Sequence, residues 1–565
     1  MVGSVSSDNN SLEYAYLKAT KITGQKTSTD HNLNCIDYTI NDVNKTDSKP
    51  LHLVLDGSSL KTGELARCDD INVQMSISEE SKIKIRKATA FLKEIVDNHQ
   101  TVYGITTGFG TFANIHVGKE NIEQLQINLI RSHSTGYGPP LTPGRARMLL
   151  ALRINVLAKG YSGISLENVE KLVAAFNAFC ISYVPSQGTV GCSGDLCPLA
   201  HLALGMLGEG QMWSQKTGWD DAANVLKING LEPIKLGPKE GLALINGTQM
   251  VTSMSALAVT RAKNIAKQAD IIASLSIEVL KGTTKAFDED VHKVRPHVGQ
   301  GKSASRIRAL LSSETNPSEI ADSHKDCGRV QDPYTLRCVP QVHGIVLDTI
   351  NFAHGIIETE MNSATDNPLI FADRKEVISG GNFHGEAVSK IADYLGIAVH
   401  ELAQMSERRL ERLVNHDLSG LPTFLTPDGG LNSGFMTVQL CAASLVSENK
   451  VLCHPASADS IPSVNQEDHV AMGGFAARKC LTIIEHTEAV LGMELLAACQ
   501  AMEFLRPLKS TKPLEDVYNL VRTVCAPLGN DRYMYPEIQA IIQLVRENKV
   551  YEVVGEYLKS VKAKN

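Results

Sequence analysis

Apolar residues recur at steps of three and four along several long stretches of the chain, which is the pattern of a helix with one buried face. Three stretches hold this pattern for thirty residues or more: 334–364, 384–415 and 467–505. A helix of that length is about 45 Å long. Such helices with short polar joints predict a mainly α protein with an elongated central bundle of long helices.

The polar joints between these helices are the natural places for a functional site. They are expected to meet at a few points along the bundle, and they are 362–368, 379–386 and 462–469.

The first half of the chain has a different pattern. Residues 51–60 read as a short strand followed by a turn, and 80–99 read as an amphipathic helix, so we expect a smaller N-terminal α+β portion. Residues 1–50 are polar with little periodicity, which is typical of a poorly ordered or loosely packed extension. The predicted divisions are 1–50, 51–240 (N-terminal portion), 241–510 (central bundle) and 511–565 (C-terminal helices).

Charge and composition narrow the class of partner. The net charge of −7 disfavours a nucleic-acid surface, and no apolar run approaches the 18 residues of a membrane span. The twelve cysteines form no CxxC pair, so neither a disulfide framework nor a metal site is expected. The opening residues lack the basic and apolar regions of a secretion signal, and the predicted location is cytoplasmic.

One glycine-rich segment, 188–205, stands out because a serine lies between a small residue and a glycine: Cys192-Ser193-Gly194-Asp195. Three interpretations compete. The segment can be a plain turn, since Gly, Ser and Asp are turn residues. A nucleophilic serine in an elbow has glycine two positions later, where this chain has Asp195.

The third interpretation is chemistry of the backbone itself. In a tightly bent X-Ser-Gly tripeptide, the glycine nitrogen can attack the carbonyl carbon of X, because glycine has no Cβ to obstruct the approach. Loss of two waters, one of them from the serine side chain, leaves a ring with an electrophilic methylene. The side chain of Cys192 is not consumed.

Motifs elsewhere in the chain favour this third interpretation. The segment 188–205 resembles the signature of the ammonia-lyases and aminomutases that make their own 4-methylidene-imidazol-5-one (MIO) group. Four further motifs match that family in order: EGLALINGTQ (240–249), VQDPYTLRC (330–338), NSATDNPLIF (362–371) and SGGNFHGE (379–386). The resemblance covers about residues 51–520 and departs at Cys192, where the family usually has alanine.

The resemblance implies a fold of the fumarase/aspartase-like superfamily and a homotetramer whose sites are shared between subunits. It implies MIO formation from Cys192, Ser193 and Gly194, assisted by Asp195, with no external cofactor. It also implies roles for side chains: Tyr103 as the base that takes the β-proton, Arg337 as the partner of the substrate carboxylate, Asn246 as a donor to the ring, Gln331 and Tyr334 as lining of the cavity, and Phe371 as an apolar wall.

Two polar positions indicate the substrate. Ser132-His133 is similar to the pair in the histidine-specific branch of the family, and Glu467 supplies a second polar partner for an imidazole. The resemblance therefore implies a carbon–nitrogen lyase that converts L-histidine to trans-urocanate and ammonia, the first step of histidine degradation.

Alternatives remain at this stage. An aminomutase or a phenylalanine or tyrosine lyase would use the same electrophile, and a catalytically silent scaffold would share the fold. The related enzymes that eliminate from fumarate-type acids use a mobile serine loop. This sequence contains no segment like their GSSxMPxKxN motif.

Overall fold

The computed structural model describes residues 50–98, 100–112, 114–191, 194–312, 317–458 and 467–562. Cys192, Ser193 and almost all of the predicted extension 1–50 lie outside the described residues.

Helices account for most of the described chain. Their bounds are α1 Thr62–Ala66, α2 Glu79–Asp97, α3 Ile122–His133, α4 Pro143–Ala158, α5 Leu166–Asn177, α6 Leu196–Met206, α7 Ala222–Ile228, α8 Glu240–Ile245, α9 Gln249–Val279, α10 Glu289–Lys293, α11 Val298–Leu311, α12 Glu319–Asp322, α13 Tyr334–Arg337, α14 Val339–Met361, α15 Glu386–Val414, α16 His416–Ser419, α17 Met436–Leu452, α18 Gly473–Glu503, α19 Lys512–Arg522, α20 Tyr535–Arg546 and α21 Lys549–Lys562. The predicted mainly α fold with a bundle of long helices is confirmed.

The strands are short and lie mostly before α9. Their bounds are β1 Leu51–Leu55, β2 Val73–Ile77, β3 Tyr137–Pro140, β4 Ile181–Ser182, β5 Pro185–Gln187, β6 Gln211–Ser214, β7 Gly218–Asp221, β8 Leu369–Phe371 and β9 Glu376–Ile378. β1 and β2 pair in parallel with Leu51 opposite Val73, β6 lies between β4 and β7, and the pairs β3–β5 and β8–β9 are antiparallel.

The helix α9 is the centre of the bundle and packs against α14, α15 and α18. Its first two turns (249–256) and its last three turns (268–279) are buried on every face, and its partly exposed polar residues lie between them, on one side of the middle turns. The stretch Glu240–Val279 is long and apolar enough to cross a membrane, yet 94% of its most apolar window is buried inside the protein. It is a core helix.

The two longest helices beside α9 are α15 and α18, and a buried ion pair joins them. Arg409 and Glu494 are both fully buried, and the guanidinium donates through Nε at 2.5 Å and Nη2 at 2.8 Å to the two carboxylate oxygens. Removal of one partner of such a pair leaves an uncompensated buried charge, which costs about 3–5 kcal/mol.

Two of the predicted long helices start later than the pattern indicated. The stretch 334–364 is divided at Cys338 into α13 and α14, because Pro340 at the start of α14 has no amide hydrogen to continue a helix. The stretch 467–505 becomes helical only at Gly473, after the left-handed residue Met472. The amphipathic helix at 80–99 and the strand within 51–60 are confirmed.

A single arginine organises the N-terminal portion. Arg147 on α4 is fully buried, and its guanidinium donates to the carbonyls of Cys68, Asp70, Val73 and Phe176. It also lies 4.0 Å from the ring centroid of Phe176. The guanidinium thus satisfies carbonyls of the residues that lead into β2, of the first residue of β2 and of α5.

Candidate active site

Main-chain contacts hold the residues on both sides of Cys192 and Ser193. Before them, the Gly191 carbonyl accepts a hydrogen bond of 2.8 Å from the Gly385 amide. After them, the Asp195 amide donates to the Gly247 carbonyl at 2.6 Å. The segment is therefore fixed between the start of α9 and the start of α15.

Gly194 occupies a position that only glycine fits. Its φ of +82° lies in the left-handed region. A Cβ on this residue would lie 2.5 Å from the Gly247 nitrogen and 3.0 Å from Asn246 Oδ1. The backbone at 194 is consequently bent and pressed against residues 246–247.

Asp195 places a carboxyl group beneath this bend. The side chain is fully buried, with Oδ1 accepting from Thr189 Oγ1 at 2.9 Å and Oδ2 from the Val251 amide at 3.0 Å. Burial raises the pKa of Asp195 to about 6, although both hydrogen bonds favour the carboxylate. Asp195 is thus a buried acid that can gain or lose a proton near neutral pH.

Asn246 lies between α8 and α9 with its amide group aimed at Gly194. Its Nδ2 donates to the Asn367 carbonyl at 3.2 Å. Its Oδ1 is buried and has no hydrogen-bond partner among the described residues. A buried amide oxygen without a partner costs about 1–3 kcal/mol, so this atom is expected to meet a polar group that the described residues do not supply.

Arg153 fixes the segment that carries Asn246. The fully buried guanidinium donates to the Asn246 carbonyl at 2.6 Å and to Gln249 Oε1 at 2.7 Å, and it also donates to the Ala243 carbonyl. Gln249 Nε2 in turn donates to Thr365 Oγ1 at 2.6 Å.

A buried ion pair of 3.1 Å between Lys239 and Asp366 joins the same two segments. The joint 362–368 is therefore locked to the start of α9.

Tyr103 lies beside this cluster on the loop between α2 and α3. It lines a cavity of about 290 Å³ together with Pro368 and Ser379. Its Oη accepts a hydrogen bond of 3.4 Å from the Gly110 amide. The next residue, Gly104, has φ +69°, and a Cβ there would lie 2.8 Å from a methyl carbon of Leu242. The loop therefore presents Tyr103 close to the residues that flank Asn246.

His133 ends α3, which packs against α6 and α8. Its Nδ1 lies 2.9 Å from the Leu129 carbonyl and 3.0 Å from Ser132 Oγ. Because a carbonyl oxygen only accepts, Nδ1 carries the proton, and Nε2 of the neutral ring is then an acceptor.

Glu467 is half-buried in the segment that leads into α18. In this segment the His469 carbonyl accepts from His384 Nε2 at 3.0 Å. Where α18 begins, a Cβ on Gly191 would lie 3.2 Å from the Gly473 nitrogen. Glu467 is thus close in sequence to residues that lie against the loop before α15 and against Gly191.

Gln331, Tyr334 and Arg337 lie at the other end of the bundle. Their segment is tied to the residues after α9, where the Thr283 amide donates to Asp332 Oδ2 at 2.7 Å. Tyr334 is 70% exposed, and the Arg337 guanidinium lies 4.8 Å from its ring centroid.

A helix of the length of α9 spans about 45 Å. One chain therefore does not bring Gln331, Tyr334 and Arg337 to Asn246.

Phe371 ends β8 on the N-terminal portion. Its ring lies 5.5 Å from that of Tyr161, and the Arg374 guanidinium lies 4.6 Å from it. The described contacts of Phe371 are therefore with this surface and not with Asn246.

Sequence reasoning missed Arg153 and also Glu360, which accepts from Thr248 Oγ1 at 2.6 Å and whose pKa is raised by burial. A signal for Arg153 existed, because it is an arginine within the apolar run of α4. No comparable signal marked Glu360. Within the described ranges, no three His, Cys, Asp or Glu side chains cluster as metal ligands would.

This chain is similar to known amino acid lyases. The family model described as aromatic amino acid lyase matches residues 60–523. A protein named histidine ammonia-lyase from Caenorhabditis elegans is 69% identical over 512 residues, covering 90% of this chain and 76% of that protein.

Solved structures give the same result. The crystal structure of histidine ammonia-lyase from Trypanosoma cruzi has a TM-score of 0.84 at 50% identity, covering 90% of this chain and 96% of the other. A tyrosine aminomutase from Streptomyces globisporus has the same TM-score at 34% identity, covering 90% and 99%. With its bent Gly194, buried Asp195 and matched motifs, the chain belongs to the aromatic amino acid lyase family.

Proposed function

We propose that this protein is a histidine ammonia-lyase, a carbon–nitrogen lyase that converts L-histidine to trans-urocanate and ammonia. The observation that carries the proposal is the 69% identity, over 90% of the chain, to a protein named for this activity. His133 and Glu467 provide the polar groups that an imidazole substrate requires.

The prosthetic group of this family is in general MIO, and the residues around Gly194 fit it. The proposed precursor is Cys192-Ser193-Gly194. The left-handed Gly194 has no space for a Cβ, and ring closure through its nitrogen requires a residue without one. The unpartnered Oδ1 of Asn246 faces Gly194. When present, the group supplies an electrophilic carbon that accepts the substrate and makes ammonia a better leaving group.

Asp195 assists ring closure in this proposal. Its carboxyl group is held beneath the bend by Thr189 and the Val251 amide, and its pKa of about 6 lets it take up and release a proton under physiological conditions. The closure needs proton transfers, since two waters leave.

Tyr103 is the proposed base that removes the β-proton. A phenol must first lose its own proton to do so, and a hydrogen-bond donor stabilises the resulting phenolate. The Gly110 amide is such a donor at Oη. The proton removed from the substrate then comes to rest on Oη.

His133 and Glu467 are proposed to select the substrate. Nε2 of His133 can accept from an imidazole N–H, and the Glu467 carboxylate can hold the second ring nitrogen in its protonated form. A phenyl ring can form neither of these hydrogen bonds, and a site built on such hydrogen bonds rejects the wrong ring by as much as ~10⁴-fold.

Arg337 is proposed to bind the substrate carboxylate through its two-pronged guanidinium, with Gln331 and Tyr334 beside it. Phe371 is proposed to form an apolar wall. Because the segment of Gln331, Tyr334 and Arg337 lies about 45 Å along α9 from Asn246, these three side chains are proposed to come from other copies of the chain. We therefore propose a homotetramer with shared sites, working in the cytoplasm with neither nucleic acid nor membrane as a partner.

The test is the near-ultraviolet absorbance of purified protein after separate additions of L-histidine, L-phenylalanine and L-tyrosine. We expect the absorbance of urocanate to rise with histidine alone. A rise with another amino acid would overturn the substrate assignment. If no substrate gives a rise, a mass spectrum of the peptide containing 192–194 that lacks the loss of two waters would overturn the proposed ring.

A further inference from the structure

His384 makes two main-chain hydrogen bonds that connect different parts of the site. Its Nδ1 accepts from the Glu386 amide at 3.2 Å, at the first turn of α15. Its Nε2 lies 3.0 Å from the His469 carbonyl. The rings of His384 and His469 also stack, with centroids 5.7 Å apart and planes 13° apart.

These two partners determine the protonation of the ring. An amide N–H only donates, so Nδ1 must be unprotonated; a carbonyl oxygen only accepts, so Nε2 must carry the hydrogen. His384 is thus held as one tautomer of the neutral imidazole. A second proton on Nδ1 would face the Glu386 amide and break that bond.

The segments that His384 joins are both close to catalytic groups. The adjacent Gly385 amide donates to the Gly191 carbonyl, directly before Cys192 in the sequence. The segment of His469 also carries Glu467. His384 therefore connects the loop that holds Gly191, beside the proposed ring, to the segment that carries Glu467, the proposed imidazole-binding carboxylate.

The charged groups around His384 do not replace this connection. The Glu386 carboxylate lies 2.7 Å from Lys390 Nζ and 3.5 Å from His469 Nε2. These are the titratable side chains that the described contacts place beside the ring. Lys390 is exposed and the His469 side chain is 65% exposed, so solvent screens both contacts.

We propose that neutral His384 is a positioning residue that holds the Glu467 segment in register with the ring-forming segment, and so sets the affinity for the imidazole of the substrate. This inference rests on the proposed function, because it assigns Glu467 to substrate binding. His384 itself touches no reacting atom in this assignment.

The experiment compares H384F with H384Q. Phenylalanine keeps a ring of similar shape and removes both hydrogen bonds, so kcat/KM for L-histidine should fall about tenfold or more, mainly through KM. Glutamine supplies one acceptor and one donor and should restore most of the loss.

The matched control is H469A. It removes the stacked ring and the contact with Glu386 but keeps the main-chain carbonyl that His384 uses, so kcat/KM should stay within about twofold of the wild type. An H469A loss as large as that of H384F would mean that stacking is the operative contact and would overturn the proposal.

Two further outcomes are distinct. Wild-type kcat/KM in H384F, or a loss in H384Q as large as that in H384F, would overturn the inference while leaving the proposed function intact. Absence of histidine turnover in the wild type would overturn the proposed function itself. The mass of the peptide containing 192–194 in each variant shows whether a loss arises from positioning or from failure to form the ring.

Discussion

The two ends of α9 differ in how their polar groups are satisfied. At the end with Asn246, the buried Arg153 and the Lys239–Asp366 ion pair hold the backbone, and Asp195 is fully enclosed. At the other end, Tyr334 is 70% exposed, and the Arg337 guanidinium lies 4.8 Å from its ring centroid. The first end is buried and hydrogen-bonded, as a preorganised half of the proposed site would be, and the second presents Tyr334 to solvent.

This difference indicates which part of the proposed site a single chain can supply and which part it cannot. Preorganised groups avoid reorganisation during the reaction, which is why buried networks surround them. Exposed groups become part of a site only when another surface covers them. Substitutions at each end can test this difference.

The largest effect should come from the preorganised end, in Ser193→Ala. Without the serine hydroxyl the ring cannot form, and turnover of L-histidine should fall by about 10³-fold or more. Absorbance at the urocanate band and the mass of the peptide containing 192–194 measure both consequences. Ser186→Ala, on the nearby β5, serves as the control and should retain both; turnover by Ser193→Ala at the wild-type rate would contradict the prediction.

The second prediction joins the two ends. Tyr103→Phe and Arg337→Ala should each lower turnover by about 10²-fold or more, because each removes a group that is proposed to act on the substrate. When the two variants are co-expressed, about a quarter of the sites should combine an intact Tyr103 from one chain with an intact Arg337 from another.

Turnover of the purified mixture measures that recovery. The control is a chain with both substitutions mixed with itself, which should recover nothing. Failure of the two single variants to complement would mean that one chain builds the whole site.

The third prediction concerns substrate selection at the preorganised end. Glu467→Ala should lower kcat/KM for L-histidine by about tenfold to a hundredfold, as expected for loss of a hydrogen bond to a charged group. The thermal unfolding midpoint should change little. Asp468→Ala, the exposed neighbour, is the matched control, and equal losses in both variants would contradict the assignment.

The smallest effect is on stability and depends on pH. Burial raises the pKa of Asp195 from 3.8 to about 6. Below the lower value both states are protonated. As the pH rises from the lower to the higher value, the unfolded chain loses this proton first, so the free energy of unfolding decreases.

Asp195→Asn lacks this dependence. Its free energy of unfolding relative to the wild type should therefore increase by about 2 kcal/mol between about pH 4.5 and pH 7. Urea denaturation at several pH values measures it, and parallel curves for the two proteins would count against a raised pKa.

The sequence predicted the parts of the fold whose pattern is local. The helices α2 and α15 have one apolar face, so their periodicity was visible. The central α9 was not singled out, because its first and last turns are buried on every side and have no such periodicity. The break at Cys338 depended on one proline within an otherwise helical pattern.

The candidate site divides in the same way. Asn246 and Asp195 were found because they lie within recognisable motifs, and the structure brings them together. Arg153 and Glu360 were not found, because their roles depend on contacts with residues about a hundred positions away. The separation of Arg337 from Asn246 followed only from the length and position of α9.

The bend at Gly194 also has a consequence for the order of folding. Gly247 and Gly385, which hold its two sides, are far away in sequence, and contacts between distant residues form late. A chain that has not completed its fold cannot hold the backbone bent tightly enough to cyclise. The finished ring would therefore mark those molecules that have folded correctly, and newly made protein should gain activity only after a delay.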